Sequence, residues 1–181
     1  MFPDPALRVT RVIDRFTELS IYVVMLLLAP LIVANALEII LRYAFDSPTT
    51  WALDVTVMSN GSLFMLGAAY ALLKGAHVRT DLFWEKFSDR TKGIIDSVSY
   101  GLLFLPVMAV IFFISVDALQ RTYEIGERSN LGLWQPVLWP FRAVVPLSAL
   151  LLFVQGISEL IKSLWAVSTG NLLVHHEKLE I

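Results

Sequence analysis

The sequence predicts an all-α membrane protein with four transmembrane helices. Of its 181 residues 56% are apolar, while only 17% are charged. The charges are not spread evenly but gather between four long runs that carry few or none. Each run is close to the roughly 20 residues, at about 1.5 Å apiece, that a helix needs to cross the hydrocarbon core. The expected membrane domain is a single unit over residues 1–170, with spans at about 19–42, 55–74, 97–119 and 139–163. Residues 171–181 are expected to form a flexible tail.

Composition excludes several function classes. The formal charge of −2 gives no reason to expect a nucleic-acid partner. The absence of cysteine removes disulfides, thiolate nucleophiles and cysteine-ligated metals together. A haem-binding membrane anchor needs axial ligands inside the bundle, but His77 falls at an interface and His175 and His176 fall in the tail. That adjacent pair has no spaced partners and reads as part of a solvated tail rather than a metal site. No nucleophile motif, phosphate-cradling glycine loop or pair of catalytic carboxylates is present. No catalytic, cofactor-binding or metal site is therefore expected.

The elements follow in chain order. Residues 1–18 carry Arg8, Arg11 and Arg15 among Asp4, Asp14 and Glu18, with Val9, Val12, Ile13 and Phe16 recurring at helical spacing. This pattern predicts an amphipathic helix lying on the membrane surface. The uncharged run Leu19–Leu37 follows, and Pro30 within it would free the carbonyl of Leu26 and kink the helix. Glu38 and Arg42, four apart with the acid first, can pair near its end. Asp46–Thr50 then reads as a turn, with Pro48 as the breaker.

The second run, Val55–Leu73, starts after Asp54 and contains Asn60 and Ser62, which fits a helix facing other protein. Gly67, Ala71 and Gly75 fall four apart on one face, where another helix can approach closely. The connection that follows is rich in charge. His77 and Arg79 mark the exit from the membrane, Thr80 can cap a second interfacial helix, and Asp81 can stabilise that helix's N-terminal end. Phe83, Trp84 and Phe87 would form its apolar side. Ser97–Val116 is the third run, with Pro106 near its middle. The fourth starts near Trp139-Pro140, contains Pro146, and is followed by Glu159 and Lys162.

Orientation comes from the basic residues. Arg8, Arg11 and Arg15, then Lys74, Arg79, Lys86, Arg90 and Lys92, then Lys162 and Lys178 fall on one side. Arg42, Arg121, Arg128 and Arg142 fall on the other. The excess predicts both termini and the central connection on the cytoplasmic side. Trp51, Trp134 and Trp139 would then lie at the outer interface, and Trp84 and Trp165 at the inner one.

Charged groups inside a bilayer are functional candidates by default. None stands at the centre of a run; Glu38, Asp117 and Glu159 all lie toward the ends. Solute-coupling sites usually lie near the midplane, so the pattern argues against a chain that transports alone. The competing reading is an autonomous small transporter working as a homo-oligomer through Glu38 or Glu159.

These residues together resemble the small membrane subunit of tripartite ATP-independent periplasmic (TRAP) transporters, the DctQ-like family. The resemblance rests on Leu41-Arg42-Tyr43-Ala44-Phe45, on Trp51 with the acid Asp54 three residues later, and on Gly67-Ala68-Ala69 leading to His77-Val78-Arg79-Thr80-Asp81. The segment Trp134–Pro146 also fits. Two positions differ from the family's habit, which favours glutamate at Asp54 and a β-branched apolar residue at Thr80. The resemblance implies a bacterial inner-membrane scaffold in a sodium-coupled importer of organic acids. It further implies a large DctM-like membrane subunit holding the solute and sodium sites, and a DctP-like extracytoplasmic binding protein. On that reading Glu38, Arg42, Trp51, Asp54, Gly67, Ala71, Gly75, His77, Arg79 and Asp81 fix helix ends or touch partners and lipids, and none binds solute.

Overall fold

The computed structural model describes residues 4–75 and 87–170. Its elements are helices: α1 (Asp4–Met25), α2 (Leu28–Ala44), α3 (Ala52–Leu73), α4 (Asp89–Val98), a π-helical segment (Ser99–Phe104), α5 (Leu105–Glu124) and α6 (Trp139–Thr169). Four helical stretches are long and apolar enough to cross a membrane: Arg8–Ala44, Ala52–Leu73, Asp89–Glu124 and Trp139–Thr169.

Side-chain burial is inverted relative to a water-soluble core. The largest fully buried side chains are Gln155, Thr17, Asp54 and Ser158. Large apolar side chains are turned outward instead, with Leu26, Phe64, Leu102 and Phe113 each 70–72% exposed. In hydrocarbon that exposure costs nothing, and small or polar residues are what let helices approach and bond.

The prolines act where the sequence places them. The break between α1 and α2 falls at Leu26–Leu27, one turn before Pro30, whose ring crowds the carbonyl four residues back. The Leu26 carbonyl accepts instead from the Ala29 amide at 3.3 Å, a tighter bond that closes the break. No break occurs at Glu18: the expected amphipathic segment and the start of the first apolar run share one continuous helix, Asp4–Met25. Pro106 is preceded by the π-helical segment, in which the Leu105 amide bonds the Tyr100 carbonyl five residues back. That wide turn makes room for a residue that cannot donate. Pro146 lies within α6, which runs to Thr169, seven residues past Lys162.

The described residues fall into two compact units. The first draws on Met1–Glu18, Ala69–Val110 and Leu150–Ile181, and the second on Leu19–Ala68 and Ile111–Ala149. In the first, α4 meets α6 through Gly93, where an added Cβ would stand 2.9 Å from the Ser163 carbonyl and the Val167 amide nitrogen. Ala69 and Ala166 are also buried there, at 1% and 0% exposure.

In the second unit, α5 closes through Gly126, φ +61°, with the Glu127 amide bonding the Thr122 carbonyl and the Gly126 amide bonding that of Tyr123. This left-handed glycine cap satisfies carbonyls that the helix end leaves open. The segment 127–138 then folds back on itself. Ser129 N–H donates to Pro136 O at 2.8 Å and Leu138 N–H to Glu127 O at 2.9 Å, around an antiparallel bridge between Arg128 and Val137.

Candidate functional site

Two groups of polar side chains are built into these units. The first joins α1 to α6. Gln155, fully buried, uses all of its amide. Its Nε2 donates to Asp14 Oδ1 at 3.1 Å and to Glu159 Oε1 at 3.0 Å, while its Oε1 accepts from Thr17 Oγ1 at 2.8 Å. Ser158 Oγ donates to Asp14 Oδ1 at 2.8 Å. Lys162 Nζ lies 2.8 Å from Asp14 Oδ2 and 2.7 Å from Glu159 Oε1, so one ammonium serves two carboxylates.

The geometry follows from helical spacing. Gln155, Ser158, Glu159 and Lys162 recur at three- and four-residue steps and share one stripe of α6, while Thr10, Asp14 and Thr17 share one stripe of α1. Matched polar stripes in otherwise apolar surroundings bond each other because nothing else there can satisfy them.

The second unit holds three smaller clusters. Asp54, in the first turn of α3, is completely buried. Its Oδ1 accepts a short hydrogen bond from Ser129 Oγ, and its Oδ2 has no partner among the described residues. Gly132 covers this carboxylate so closely that an added Cβ would stand 2.6 Å from Oδ2 and 3.0 Å from Thr50 O. Only glycine fits there, and the contact fastens the 127–138 segment to the start of α3.

Glu38 pairs with Arg42 as the spacing predicts, and it also accepts from the Thr49 amide at 2.8 Å and from the Thr49 hydroxyl. Thr49 Oγ1 in turn accepts from the Ala52 amide at 3.3 Å, so one acid ties the end of α2 to the start of α3. Asp46 makes the turn between them in a left-handed conformation, φ +50°, which aspartate tolerates better than most residues. Glu127 accepts from Thr122 at 2.8 Å and from Arg142 at 2.7 Å, joining the ends of α5 and α6.

The remaining sequence candidates are distributed along α3 and beyond. Trp51 is half-buried just before α3, and its carbonyl accepts from Val55 N–H at 3.1 Å. Gly67 and Ala71 are half-buried within α3, and a Cβ added at Gly67 would meet nothing within 4 Å. Gly75 lies past the helix end with φ +68°, so it terminates α3 rather than extending its small-residue face. His77, Arg79 and Asp81, the interfacial helix expected after Thr80, and the tail with His175 and His176 lie outside the described residues. Beside the end of α3, Lys74 Nζ meets Glu18 Oε1 at 2.9 Å, and this bond holds the Lys74 ammonium above the usual lysine range. Among the described residues no three His, Cys, Asp or Glu side chains gather to hold a metal ion.

Sequence reasoning missed the Asp14–Gln155–Lys162 network. The signal was present as two polar stripes of equal period, one on either side of Glu18 and Ala149 in the chain, but nothing in either stripe names the other as its partner. The Asp54–Ser129 contact was likewise out of reach, since it joins residues 75 apart in the sequence.

The family model for the tripartite ATP-independent periplasmic transporters, DctQ component, matches residues 31–165. The chain belongs to the DctQ family. No curated protein and no solved structure matches it. The match covers the Glu38, Asp54 and Glu127 clusters and the α6 half of the polar network; Asp14 and Thr17 lie before it. A DctQ protein is a transporter component of the inner membrane rather than a member of an enzyme family, and the four apolar helical stretches give this one several passes through that membrane.

Proposed function

We propose that this chain is the static scaffold subunit of a sodium-coupled importer of organic acids and binds no solute itself. It would support a large DctM-like subunit that carries the solute and sodium sites and works with a DctP-like binding protein. Both termini would face the cytoplasm, as the distribution of basic residues favours.

One observation carries the reading. The acids that a transport mechanism would need in this chain are tied up in bracing its own helices. Glu159 is held by Lys162 and Gln155, and Glu38 by Arg42 and Thr49. A hollow beside α5 and α6 is lined by Ile111, Ile114, Ser115, Ala118, Arg142 and Val145. Its apolar walls offer little to a sodium ion or a carboxylate, and Arg142 is already paired with Glu127. Helices cross-linked at their polar stripes resist sliding past one another, which suits a body that stays still while a partner moves.

The test is uptake of labelled organic acid by cells lacking this chain, alongside its co-purification in mild detergent. Loss of uptake and recovery of a stoichiometric large membrane protein are expected. Uptake that survives the deletion, or transport by the purified chain alone in liposomes, would overturn the reading. Replacing Gly67 by Leu examines the partner face separately. If α3 meets the large subunit there, recovery of that subunit drops while the melting temperature of the isolated chain holds, because no described residue crowds the position.

A further inference from the structure

We infer that Arg8, Arg11 and Arg15 form a binding stripe for the phosphate headgroups of anionic phospholipids. The three residues are spaced three and four apart, so they share one side of α1, and all three are exposed. The opposite side of the helix is the one that buries Thr10 and Thr17, at 4% and 1% exposure. Because Asp14 and Thr17 are bonded to Gln155, Ser158 and Lys162, α1 cannot turn about its axis to bring the arginines inward.

Among the described residues no side-chain hydrogen bond or ion pair reaches any of the three guanidinium groups. The arginines of the second unit contrast with this. Arg42, Arg121 and Arg142 each pair with an acid, and Arg128 donates to the Gln135 carbonyl. The described acids nearest to the stripe are already engaged, Asp14 with Lys162 and Glu18 with Lys74. Three guanidinium groups thus face outward with no counter-charge bound to them among the described side chains.

Their neighbours indicate what faces them. Val9, Val12 and Phe16 are 50%, 69% and 58% exposed along the same stretch, so a basic row runs beside an apolar one. The uncharged run Leu19–Leu37 begins immediately after Glu18, which sets the stripe at the depth where hydrocarbon gives way to headgroups. Arginine suits phosphate there because its planar fork donates two parallel hydrogen bonds while its stem and neighbours remain among acyl chains. The inference concerns α1 alone and does not depend on the scaffold reading.

The experiment is native mass spectrometry of the full chain in neutral detergent, counting adducts of phosphatidylglycerol against phosphatidylcholine at equal concentration. The unaltered chain should prefer phosphatidylglycerol, and added salt should erode that preference. Replacing Arg8, Arg11 and Arg15 together by Gln should lower the preference roughly tenfold, since each basic residue near an anionic surface contributes measurably. Lysine at all three positions should keep most of it, and Arg121→Gln, in an exposed pair with Asp117, should leave it unchanged.

Preference that persists in the Gln variant overturns the proposal. So does unchanged lipid preference accompanied by loss of the large membrane subunit on co-purification, which would make the stripe a protein interface. The salt titration needs no variant: a phosphatidylglycerol preference indifferent to salt also overturns it, even if the Gln variant fails to fold.

Discussion

The two units use charge in opposite ways. In the first, two carboxylates and an ammonium are drawn into the contact between α1 and α6; Lys162 and Glu159 keep 12% and 7% of their side-chain exposure. In the second, Glu38, Arg42, Glu127 and Arg142 sit at helix ends and loops, where side-chain exposures range from 19% to 55%. A buried charge removed from its partners leaves uncompensated charge behind, whereas an exposed one is screened and rehydrated. The first unit should therefore be the more sensitive to loss of a single charged group. The second should respond chiefly to changes of shape at its one buried carboxylate.

Lys162→Met gives the strongest test of that contrast. It leaves Asp14 and Glu159 without their common counter-charge, and a loss of about 2–4 kcal/mol is expected in detergent unfolding followed by tryptophan fluorescence. A loss comparable to that of Arg42→Gln, expected below about 1 kcal/mol, would erase the contrast. Next come the two tight glycines, one in each unit. Gly93→Ala would press a Cβ against the α6 backbone and Gly132→Ala against Asp54, each costing about 1–3 kcal/mol. Adding Asp54→Ala to Gly132→Ala should recover part of the loss in a double-mutant cycle, because the obstructing carboxylate is gone. No such recovery is available to Gly93→Ala, whose obstruction is backbone.

Thr49→Ala removes both a hydrogen bond to Glu38 and the acceptor for the Ala52 amide, and should cost about 1 kcal/mol in the same measurement. The smallest effect belongs to Lys74→Met. Its pair with Glu18 is about half exposed on each side, so the change should stay below about 1 kcal/mol. The sign with pH is fixed by the raised pKa of Lys74. The pair's contribution is complete at neutral pH and fades only as pH rises past the ordinary lysine range. Greater sensitivity of the unaltered chain than of Lys74→Met to alkaline pH is the expected result.

How far the sequence could be read depended on the range of the interaction. Pro30 was legible because its missing donor and its ring act within one turn, whereas the π-helical segment before Pro106 was not expected. The Glu38–Arg42 pair was legible for the same reason, being one helical turn apart. Gly75 was read as part of a small-residue face, and its positive φ makes it a helix terminator instead. Both roles favour glycine, and residue identity alone does not separate them. The acid at Asp54 drew notice through its spacing from Trp51, but its burial beneath Gly132 is a contact across dozens of residues.

By itself the sequence determined the all-helical membrane class, the four spans and the DctQ family. Hydrophobic length and charge clustering are local properties that the bilayer reads directly, and family motifs are ordered along the chain. Only the tertiary structure decided that Asp14, Thr17, Gln155, Ser158, Glu159 and Lys162 form one bonded network, and that Arg8, Arg11 and Arg15 are left outside it. A polar group in apolar surroundings must find a partner, but the sequence states only the need. Which group answers it depends on which helices meet, and at what rotation about their axes.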